Sequence, residues 1–281
     1  MTVNIFDDTC QHHVREDGYF TSTEGRRPKV FTFVHKQQVF DGITLFTDHY
    51  ILHPVVEQVK CKTKIAWCLE SPAVQKVVHE NIHTVADKFD YVFTYREDLI
   101  ASDPKKFLPN TPGGTFIKDE DIGFDVKEKT KNCSLILSGK RDLEGHQLRH
   151  LIAQNCQGID LYGWGSPTGF MQYKLPALEH YKFSITIENT RAPHYFTEKL
   201  VDCLLTGCVP IYWGALNIEK YFNIDGFVLF NSYQELATIK LNAETYLKKE
   251  EAIKENFLLA KNYISSDDVL ATKILKLTTN E

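Results

Sequence analysis

The sequence predicts an α/β fold made of two domains in which parallel strands alternate with helices. Three observations predict it. Short apolar, β-branched runs alternate with stretches of helical spacing, a polar region rich in Pro and Gly interrupts this pattern, and the chain has 281 residues. A chain of this length forms one large domain or two modest domains that each bury a core. We expect a boundary near residue 126, which gives domains 1–126 and 127–281.

Short runs of Val, Ile, Phe and Thr predict the strands of the first domain, because such side chains favour extended, half-buried backbone. Looser stretches with helical spacing separate these runs. Residues 102–115 are rich in Pro and Gly, and residues 118–132 are polar with mixed charge, so we expect a loop and then a linker. The predicted strands are residues 29–34, 44–47, 63–69 and 91–94.

The second domain begins with a new apolar run and repeats the alternation of strands and helices. Its strands are again short and apolar, and its helices show apolar residues three and four positions apart. The predicted strands are residues 133–138, 159–162, 183–187, 209–213 and 226–230. The predicted helices are residues 143–154, a helix that begins near 198, and residues 233–263 and 267–277.

Composition excludes several classes of partner. The net charge of −5 favours neither nucleic acid nor an anionic membrane as a partner. The seven cysteines are odd in number and mostly lie in apolar segments, which favours reduced, buried thiols over a disulfide framework. Neither a signal peptide nor an apolar run of about 18 residues is present, so we expect a cytoplasmic protein without a transmembrane segment.

The most informative stretch is residues 183–214, which we call the signature unit. It contains Phe183-Ser-Ile-Thr-Ile-Glu-Asn-Thr190, then Tyr195-Phe-Thr-Glu-Lys199, then Val209-Pro-Ile-Tyr-Trp-Gly214. A buried strand, a polar loop, a helix that opens with an acid and a base, and a second buried strand follow one another. Such a unit presents its loop and helix N-terminus at one edge of a parallel sheet, where α/β proteins bind nucleotides and phosphorylated ligands.

The signature unit resembles the donor-binding motif of the family 10 glycosyltransferases, the alpha-1,3/1,4-fucosyltransferases. The resemblance implies a GT-B fold, in which two Rossmann-like domains face each other across a cleft. It also implies an inverting transfer of fucose from GDP-fucose to a hydroxyl of a glycan acceptor. The first domain would then serve the acceptor, and the second would bind the nucleotide sugar. Without a membrane anchor, the chain is similar to the soluble bacterial or viral members.

The resemblance assigns donor-binding roles to residues of the signature unit. Lys199 and Tyr195 correspond to the family's phosphate-binding lysine and tyrosine, and Glu198 to its ribose-binding glutamate. An ammonium in the first turn of a helix suits a diphosphate, because the helix dipole is positive there. Glu188 and Asn189 end the strand, where they are candidates for contacts to fucose hydroxyls. Purely structural roles stay open: a helix acid for Glu198, a solvated Lys199, and a turn role for Asn189.

A further cation for the diphosphate is expected on the helix after the first strand of the second domain. The family carries an arginine there, and Arg149 is the best match, with Lys140 and Arg141 as rivals. A guanidinium suits this role because its planar fork binds two phosphate oxygens at once. A surface arginine on that helix remains the alternative.

The proton acceptor is expected from the first domain. Residues 65–70 form an apolar strand that ends in Glu70 before a Pro break, which places Glu70 at the carboxyl edge of a sheet. The family's proposed general base is a first-domain glutamate after a strand, so Glu70 is the candidate. A turn carboxylate that caps the next helix is the alternative. No Asp-x-Asp metal motif is visible, and we expect no metal or other cofactor besides the donor.

One motif points to a different class of enzyme. His79-Glu80-Asn81-Ile82-His83 fits the H-E-x-x-H pattern, in which two histidines on one helical face bind zinc and the glutamate acts as a base. A zinc hydrolase is therefore an alternative, although no third ligand is evident. A GDP-sugar other than GDP-fucose is a second alternative on the same fold. No dinucleotide or P-loop glycine motif is present.

Overall fold

The computed structural model describes residues 1–8, 28–110, 112–164 and 166–278. The chain folds into two compact units. The first unit comprises the described residues of Met1–Pro112, Ala192–Tyr195 and Ser265–Glu281. The second comprises those of Gly113–Arg191 and Phe196–Ile264. Both units are parallel α/β structures, so the predicted fold class is confirmed.

The first unit is built on a parallel sheet in the order β2-β1-β3-β4-β5-β6. The carboxyl halves of β3 and β4 are buried, as expected for central parallel strands covered on both faces. Its strands are β1 (Thr2–Phe6), β2 (Thr32–His35), β3 (Val39–Thr47), β4 (Lys60–Trp67), β5 (Tyr91–Thr94) and β6 (Phe107–Pro109). Its helices are α1 (Val55–Gln58), α2 (Lys76–Asn81), α3 (Glu97–Ser102) and the last helix of the chain, Ser266–Thr278.

The second unit is built on a parallel sheet of five strands among the described residues. Its strands are β7 (Lys131–Leu137), β8 (Asp160–Gly163), β9 (Tyr181–Ile187), β10 (Val209–Trp213) and β11 (Val228–Leu229). Its helices are α4 (Glu144–Asn155), α5 (Glu198–Leu205), α6 (Tyr233–Leu236), α7 (Ala243–Leu247) and α8 (Glu250–Ala260), and we number the last helix of the chain α9. The sheet order is β11-β10-β9-β7-β8, with α5 packed on β9 and β10.

Two strands were absent from the sequence prediction. β1 holds a central place in the first sheet, where Asn4 is fully buried and donates a hydrogen bond of 3.2 Å to the Thr44 hydroxyl. β1 was not predicted because it is only five residues long and carries the polar residues Thr2 and Asn4. β6 is only three residues long and lies within the predicted loop 102–115.

The region 233–263, predicted to be helical, contains three helices, α6 to α8, followed by a 3-10 turn. The break occurs where the Asn242 side chain caps α7 by accepting a hydrogen bond of 2.9 Å from the Thr245 N–H. A short polar residue of this kind favours a helix start over a helix interior. Among the described residues, no helix is both long and apolar enough to cross a membrane.

The two units divide the chain differently from the expected boundary near residue 126. The second unit begins at Gly113 because buried Asp202 of α5 ties down the segment that follows. Its carboxylate accepts hydrogen bonds of 2.6 Å from the Thr115 hydroxyl and 2.7 Å from the Phe116 N–H. At the other end, α9 packs through Leu270 and Ile274 into the core of the first sheet, so the first unit also contains the chain's last helix.

Candidate active site

A cavity of about 230 Å³ opens at the carboxyl edge of the second sheet. The chain leaves β7 toward β8 on one side and leaves β9 toward β10 on the other, so the strand order reverses between β7 and β9. In open parallel sheets, ligands bind at such a switch point. The cavity lies there, with residues 136–138 of β7 and 184–187 of β9 in its walls. Its charged lining residues are Arg149, Lys174, Glu198, Lys199 and Asp202.

Helix α4 supplies one cation. Its N-terminus packs closely on the end of β9, since a Cβ atom on Gly145 would lie 1.8 Å from the Glu188 carbonyl oxygen. Arg149, one turn later, is 7% exposed and donates hydrogen bonds to the Gly145 carbonyl (3.2 Å) and the Asn189 side-chain oxygen (3.1 Å). Asn189 therefore orients the guanidinium.

The structure separates Arg149 from its two rivals. Lys140 and Arg141 are exposed and lie outside the cavity lining. Their backbone carbonyls accept hydrogen bonds from His150 and Gln147 of α4. Both residues therefore hold the turn before α4, and Arg149 is the residue of this segment that reaches the cavity.

Helix α5 begins at the cavity with a side-chain cap. The Thr197 hydroxyl accepts from the Lys199 N–H and donates to the Glu188 carboxylate at 2.6 Å, while the Thr197 N–H donates to the other Glu188 oxygen at 2.9 Å. Glu188 is fully buried and lies outside the cavity lining. Burial raises its pKa, against the opposing charge of Lys199. The structure thus places Glu188 as the support of the α5 N-terminus.

Glu198 and Lys199 lie side by side in the cavity wall. The Lys199 ammonium donates to the Glu198 carboxylate at 3.1 Å and to the Thr197 hydroxyl at 3.1 Å, and it lies 3.7 Å from Glu188. Burial alone would raise the pKa of Glu198, but the charges of Lys199 and Lys174 outweigh it and lower the pKa to about 2. Glu198 is therefore ionised at neutral pH and accepts hydrogen bonds only.

Lys174 is a cavity residue that the sequence reasoning missed. Its ammonium lies 2.9 Å from Asp202 and 3.6 Å from Glu198, two carboxylates one turn apart on α5. It precedes β9 in a stretch without periodicity, so no local pattern marks it. Only the packing of that stretch against α5 brings it to the cavity.

In the first unit, the loop after β4 presents Glu70. The Asp48 carboxylate accepts hydrogen bonds of 3.0 Å from the N–H groups of both Leu69 and Glu70, and His79 Nε2 lies 3.1 Å from the Glu70 carbonyl oxygen. The Glu70 side chain is partly exposed. Buried side chains thus fix the backbone on both sides of the candidate base.

The same loop is held from two further strands. The Tyr95 hydroxyl, just after β5, donates to the Leu69 carbonyl at 3.1 Å. Asn110, just after β6, donates to the Cys68 carbonyl and to the Tyr95 hydroxyl, and it accepts from the Trp67 indole at 3.1 Å. Successive backbone carbonyls of this loop therefore each have a side-chain partner, and the loop is preorganised.

Asp48 was also missed by the sequence reasoning. It is 4% exposed and adopts a left-handed backbone conformation with φ of 45°, which directs one oxygen to the loop of Glu70. Its other oxygen has no hydrogen-bond partner within the described part of the chain. Burial, with the nearby charges of Glu70 and Asp7, raises its pKa to about 7 against the N–H groups that lower it.

A family comparison matches the part of the chain that contains the cavity. The sequence profile described as "Glycosyltransferase family 10 (fucosyltransferase) C-term" matches residues 126–275, more than half of the chain. The chain belongs to glycosyltransferase family 10. The predicted resemblance is confirmed.

Related sequences agree with this family assignment. An alpha-(1,4)-fucosyltransferase of Arabidopsis thaliana is 49% identical over 65 residues, which are 22% of this chain and 16% of that protein. The 4-galactosyl-N-acetylglucosaminide 3-alpha-L-fucosyltransferase 9 of Mus musculus is 28% identical over 234 residues, 74% of this chain and 63% of the relative. The family 10 chain thus matches less than two thirds of the length of each of these relatives.

Solved structures support the fold. A crystal structure of an alpha1,3-fucosyltransferase with GDP aligns with a TM-score of 0.51 at 15% identity and covers 99% of this chain and 90% of its own. Anabaena Alr3699/HepE in complex with UDP-glucose aligns with a TM-score of 0.55 at 14% identity, over 83% and 78% of the two chains. The family 10 chain has the GT-B fold.

Tyr195 is not among the residues that line the cavity of this family 10 chain. It belongs to the first unit, is 2% exposed and packs edge-on against Tyr95 with ring centroids 5.3 Å apart. Glu198 and Lys199, three and four positions later, belong to the second unit. The chain therefore crosses from the first unit to the second between Tyr195 and Phe196.

The H-E-x-x-H motif of the family 10 chain does not form a continuous helical face. Helix α2 ends at Asn81, His79 is buried beside the Glu70 carbonyl, and His83 is exposed in a 3-10 turn. Among the residues that the structure describes, no group of three or more His, Cys, Asp or Glu side chains is placed to hold a metal ion. This geometry gives the zinc hydrolase no support.

Proposed function

We propose that this protein is an inverting glycosyltransferase that transfers fucose from GDP-fucose to a hydroxyl of an acceptor glycan. The observation that supports it most is the cavity at the switch point of the second sheet, in a chain of family 10. Arg149 and Lys199 supply positive charge there, and α5 adds the positive end of its dipole. These groups suit the diphosphate of a nucleotide sugar.

The reaction forms one bond and breaks another at the anomeric carbon of fucose. The acceptor oxygen attacks that carbon, and the bond to the β-phosphate oxygen breaks with its electron pair, which leaves on GDP. The acceptor proton passes to the carboxylate of Glu70. Charge grows on the departing phosphate in the transition state, where Arg149 and Lys199 stabilise it.

Glu70 is proposed as the general base because buried side chains hold the backbone of its loop in place. Asp48 and His79 fix its backbone, while its own carboxylate stays partly exposed. A base held in this way needs little reorganisation to reach the transition state. The alternative of a simple helix cap is less favoured, since the N-cap of α2 is Gln75, and within the described part of the chain α2 has no side-chain cap.

Within the second unit, the proposal gives Glu198 the ribose hydroxyls and gives Arg149, oriented by Asn189, the diphosphate. Glu188 supports α5 instead of contacting fucose. No diphosphate contact is proposed for Tyr195, whose ring is 2% exposed and packs against Tyr95.

We further propose that the cations of the cavity replace a metal ion at the diphosphate. Arg149 and Lys199 provide two charges and several N–H donors for the phosphate oxygens. Transfer activity is then expected to persist after dialysis against EDTA, measured with GDP-fucose in a metal-free buffer. Loss of activity on dialysis and its return with magnesium or manganese would contradict this part of the proposal.

The deciding experiment is calorimetric titration of the purified protein with GDP, UDP and GDP-fucose, with zinc measured in the same sample. We expect GDP and GDP-fucose to bind and UDP to bind at least tenfold more weakly, a difference of about 1.4 kcal/mol. Preferential binding of UDP would indicate that the donor is a UDP-sugar instead of GDP-fucose. No nucleotide binding, together with one zinc that is lost in His79→Ala, would favour the hydrolase.

A second experiment tests the transfer itself. The name of the mouse relative describes a 4-galactosyl-N-acetylglucosaminide acceptor, so N-acetyllactosamine is the first glycan to test. Proton NMR of the product gives the anomeric configuration of the transferred sugar. A configuration opposite to that of the donor is expected, and retention of the donor's configuration would contradict the inverting mechanism.

A further inference from the structure

The cavity of the second unit contains a second lysine, Lys174, whose contacts differ from those of Lys199. Lys199 contacts Thr197, Glu198 and Glu188 at the tip of α5. Lys174 lies along the side of the same helix, 2.9 Å from Asp202 and 3.6 Å from Glu198. Glu198 Oε1 is thus within ion-pair distance of both ammonium groups.

Lys174 is held more firmly than Lys199. Asp202 is 1% exposed, and its other oxygen accepts from the Thr115 hydroxyl and the Phe116 N–H, at 2.6 and 2.7 Å. The Lys174 ammonium also lies 4.1 Å from the centroid of the Phe116 ring. Burial lowers the pKa of Lys174, but the charges of Asp202 and Glu198 outweigh it and raise the pKa, so this lysine stays charged.

The shared carboxylate oxygen has a consequence for donor binding. A diphosphate attracts Lys199, which then gives up part of its contact with Glu198. Glu198 is only 20% exposed, and a largely buried carboxylate beside a diphosphate is costly without a cation of its own. Lys174, fixed by Asp202, is the cation that remains.

We propose that Lys174 is a positioning residue of the donor site, which holds the Glu198 carboxylate ready for the ribose hydroxyls while Lys199 binds the diphosphate. This inference rests on the proposed function, because it takes Glu198 as the ribose contact. It gives the two lysines different roles. Lys199 binds the diphosphate, and Lys174 holds the Glu198 carboxylate that accepts hydrogen bonds from the ribose.

The test compares nucleotides with and without ribose hydroxyls. Dissociation constants of GDP and 2′,3′-dideoxy-GDP are measured by calorimetry for the wild type, Glu198→Gln and Lys174→Met. We expect the wild type to prefer GDP by roughly tenfold to a hundredfold, the effect of losing hydrogen bonds to a charged group. In Glu198→Gln and in Lys174→Met this preference falls to within about threefold, while the affinity for dideoxy-GDP changes little.

Two further variants keep the test decisive if Lys174→Met folds poorly. Lys174→Met combined with Asp202→Asn removes both partners of the ion pair and keeps an oxygen for Thr115, so Glu198 loses Lys174 without a new unpaired charge at position 202. Lys174→Arg should restore most of the preference. The matched control is Lys118→Met, another lysine over an aromatic ring, 4.3 Å from the Tyr173 centroid and outside the cavity lining.

Each other outcome overturns the inference in a recognisable way. An unchanged preference in Lys174→Met means that Lys174 does not position Glu198. An equal loss of affinity for both nucleotides means that Lys174 contacts the diphosphate itself. A wild type that binds GDP without preference removes Glu198 as the ribose contact but leaves GDP-fucose transfer in place. A wild type that binds no GDP overturns the proposed function as well.

Discussion

The two units share a topology and differ in the charge at corresponding places. In each sheet the strand order reverses at one point, between β1 and β3 in the first unit and between β7 and β9 in the second. At the second point, Arg149, Lys174 and Lys199 line a cavity. At the first, the two strands are followed by Asp7 and Asp48, both buried. The edge of the second unit thus combines three cations with the carboxylates of Glu198 and Asp202, whereas the two strands of the first unit are followed by buried carboxylates.

This difference shows how one architecture can serve two chemical tasks. In the second unit, Lys199 is shared between carboxylates, so a diphosphate can exchange with them. In the first unit, Asp48 accepts hydrogen bonds from two backbone N–H groups and so holds the loop of Glu70 in place. Function is set by the side chains placed at the edge, since parallel α/β sheets host many activities.

The largest expected effect concerns the carboxylate side of the comparison. Glu70→Gln should lower kcat by roughly a hundredfold to ten-thousandfold, because an amide cannot take the acceptor proton. The affinity for GDP should be unchanged. Initial rates with GDP-fucose and N-acetyllactosamine, with calorimetry of GDP binding, check this. The matched control is Glu80→Gln, since Glu80 is exposed and pairs with Lys76 at 3.7 Å. Full activity of Glu70→Gln would remove Glu70 as the base.

The second-largest effect is expected on nucleotide binding by the cavity of the second unit. Lys199→Ala should raise the dissociation constant of GDP by roughly tenfold to a hundredfold, as expected for the loss of a charge-assisted hydrogen bond. Calorimetric titration measures it, and Lys254→Ala is the control, a lysine of the same unit that pairs with Glu250 at 2.9 Å. Wild-type affinity in Lys199→Ala would mean that the cavity does not hold the diphosphate through this lysine.

A third effect concerns the pH dependence of stability. The folded protein keeps the Asp48 proton up to about pH 7, while the unfolded chain releases it near the ordinary pKa of 3.8. The folded state therefore binds more protons in this window, and the stability contributed by Asp48 falls as the pH rises from about 4 to 7. In Asp48→Asn this loss is absent. Relative to the wild type, the variant should gain about 4 kcal/mol between pH 4 and pH 8, since a change of one unit in pKa corresponds to about 1.4 kcal/mol.

Urea unfolding of the wild type and Asp48→Asn at several pH values measures this difference. Asp41→Asn serves as the control, because Asp41 is exposed and pairs with Lys62. Parallel stability curves for the wild type and Asp48→Asn would show that Asp48 is ionised throughout. The two units would then differ at these strand ends only in which charged side chains they carry.

The smallest effect is expected at the start of α5. Thr197→Ala removes the helix cap and one donor to Glu188, which should lower the free energy of unfolding by about 1–2 kcal/mol. Thr197→Ser keeps the hydroxyl and should restore most of it. Urea unfolding measures both variants. Equal stability of Thr197→Ala and the wild type would contradict the role of Glu188 as the support of this helix.

Local pattern predicted those elements whose burial follows the sequence closely. The strand predicted at residues 91–94 is β5 (Tyr91–Thr94), and the helix predicted at 143–154 is α4 (Glu144–Asn155). The missed strand β1 depends on a distant partner, since Asn4 is buried only because Thr44 and the Gln37 carbonyl accept its amide. Such pairing leaves no periodic trace in the sequence.

The residues of the candidate site also fall into two groups, those predicted from local sequence and those that depend on tertiary packing. Arg149, Glu198 and Lys199 were predicted because the signature unit and the preceding helix carry them in a recognisable order, and the structure brings all three to the cavity. Lys174 and Asp48 were missed because their importance depends on partners far along the chain. Tyr195 lies within the signature motif but belongs to the first unit, because the chain crosses to the second unit directly after it.

The sequence by itself determined the family, the parallel α/β class and the place of Lys199 in the first turn of α5, because these depend on local order and spacing. Tertiary structure alone decided where the units divide, that α9 packs on the first sheet, and which charged groups pair with one another. Those properties depend on burial and on distances between residues remote in sequence. Burial sets the pKa of Asp48, and the packing of the stretch before β9 against α5 places Lys174 beside Glu198.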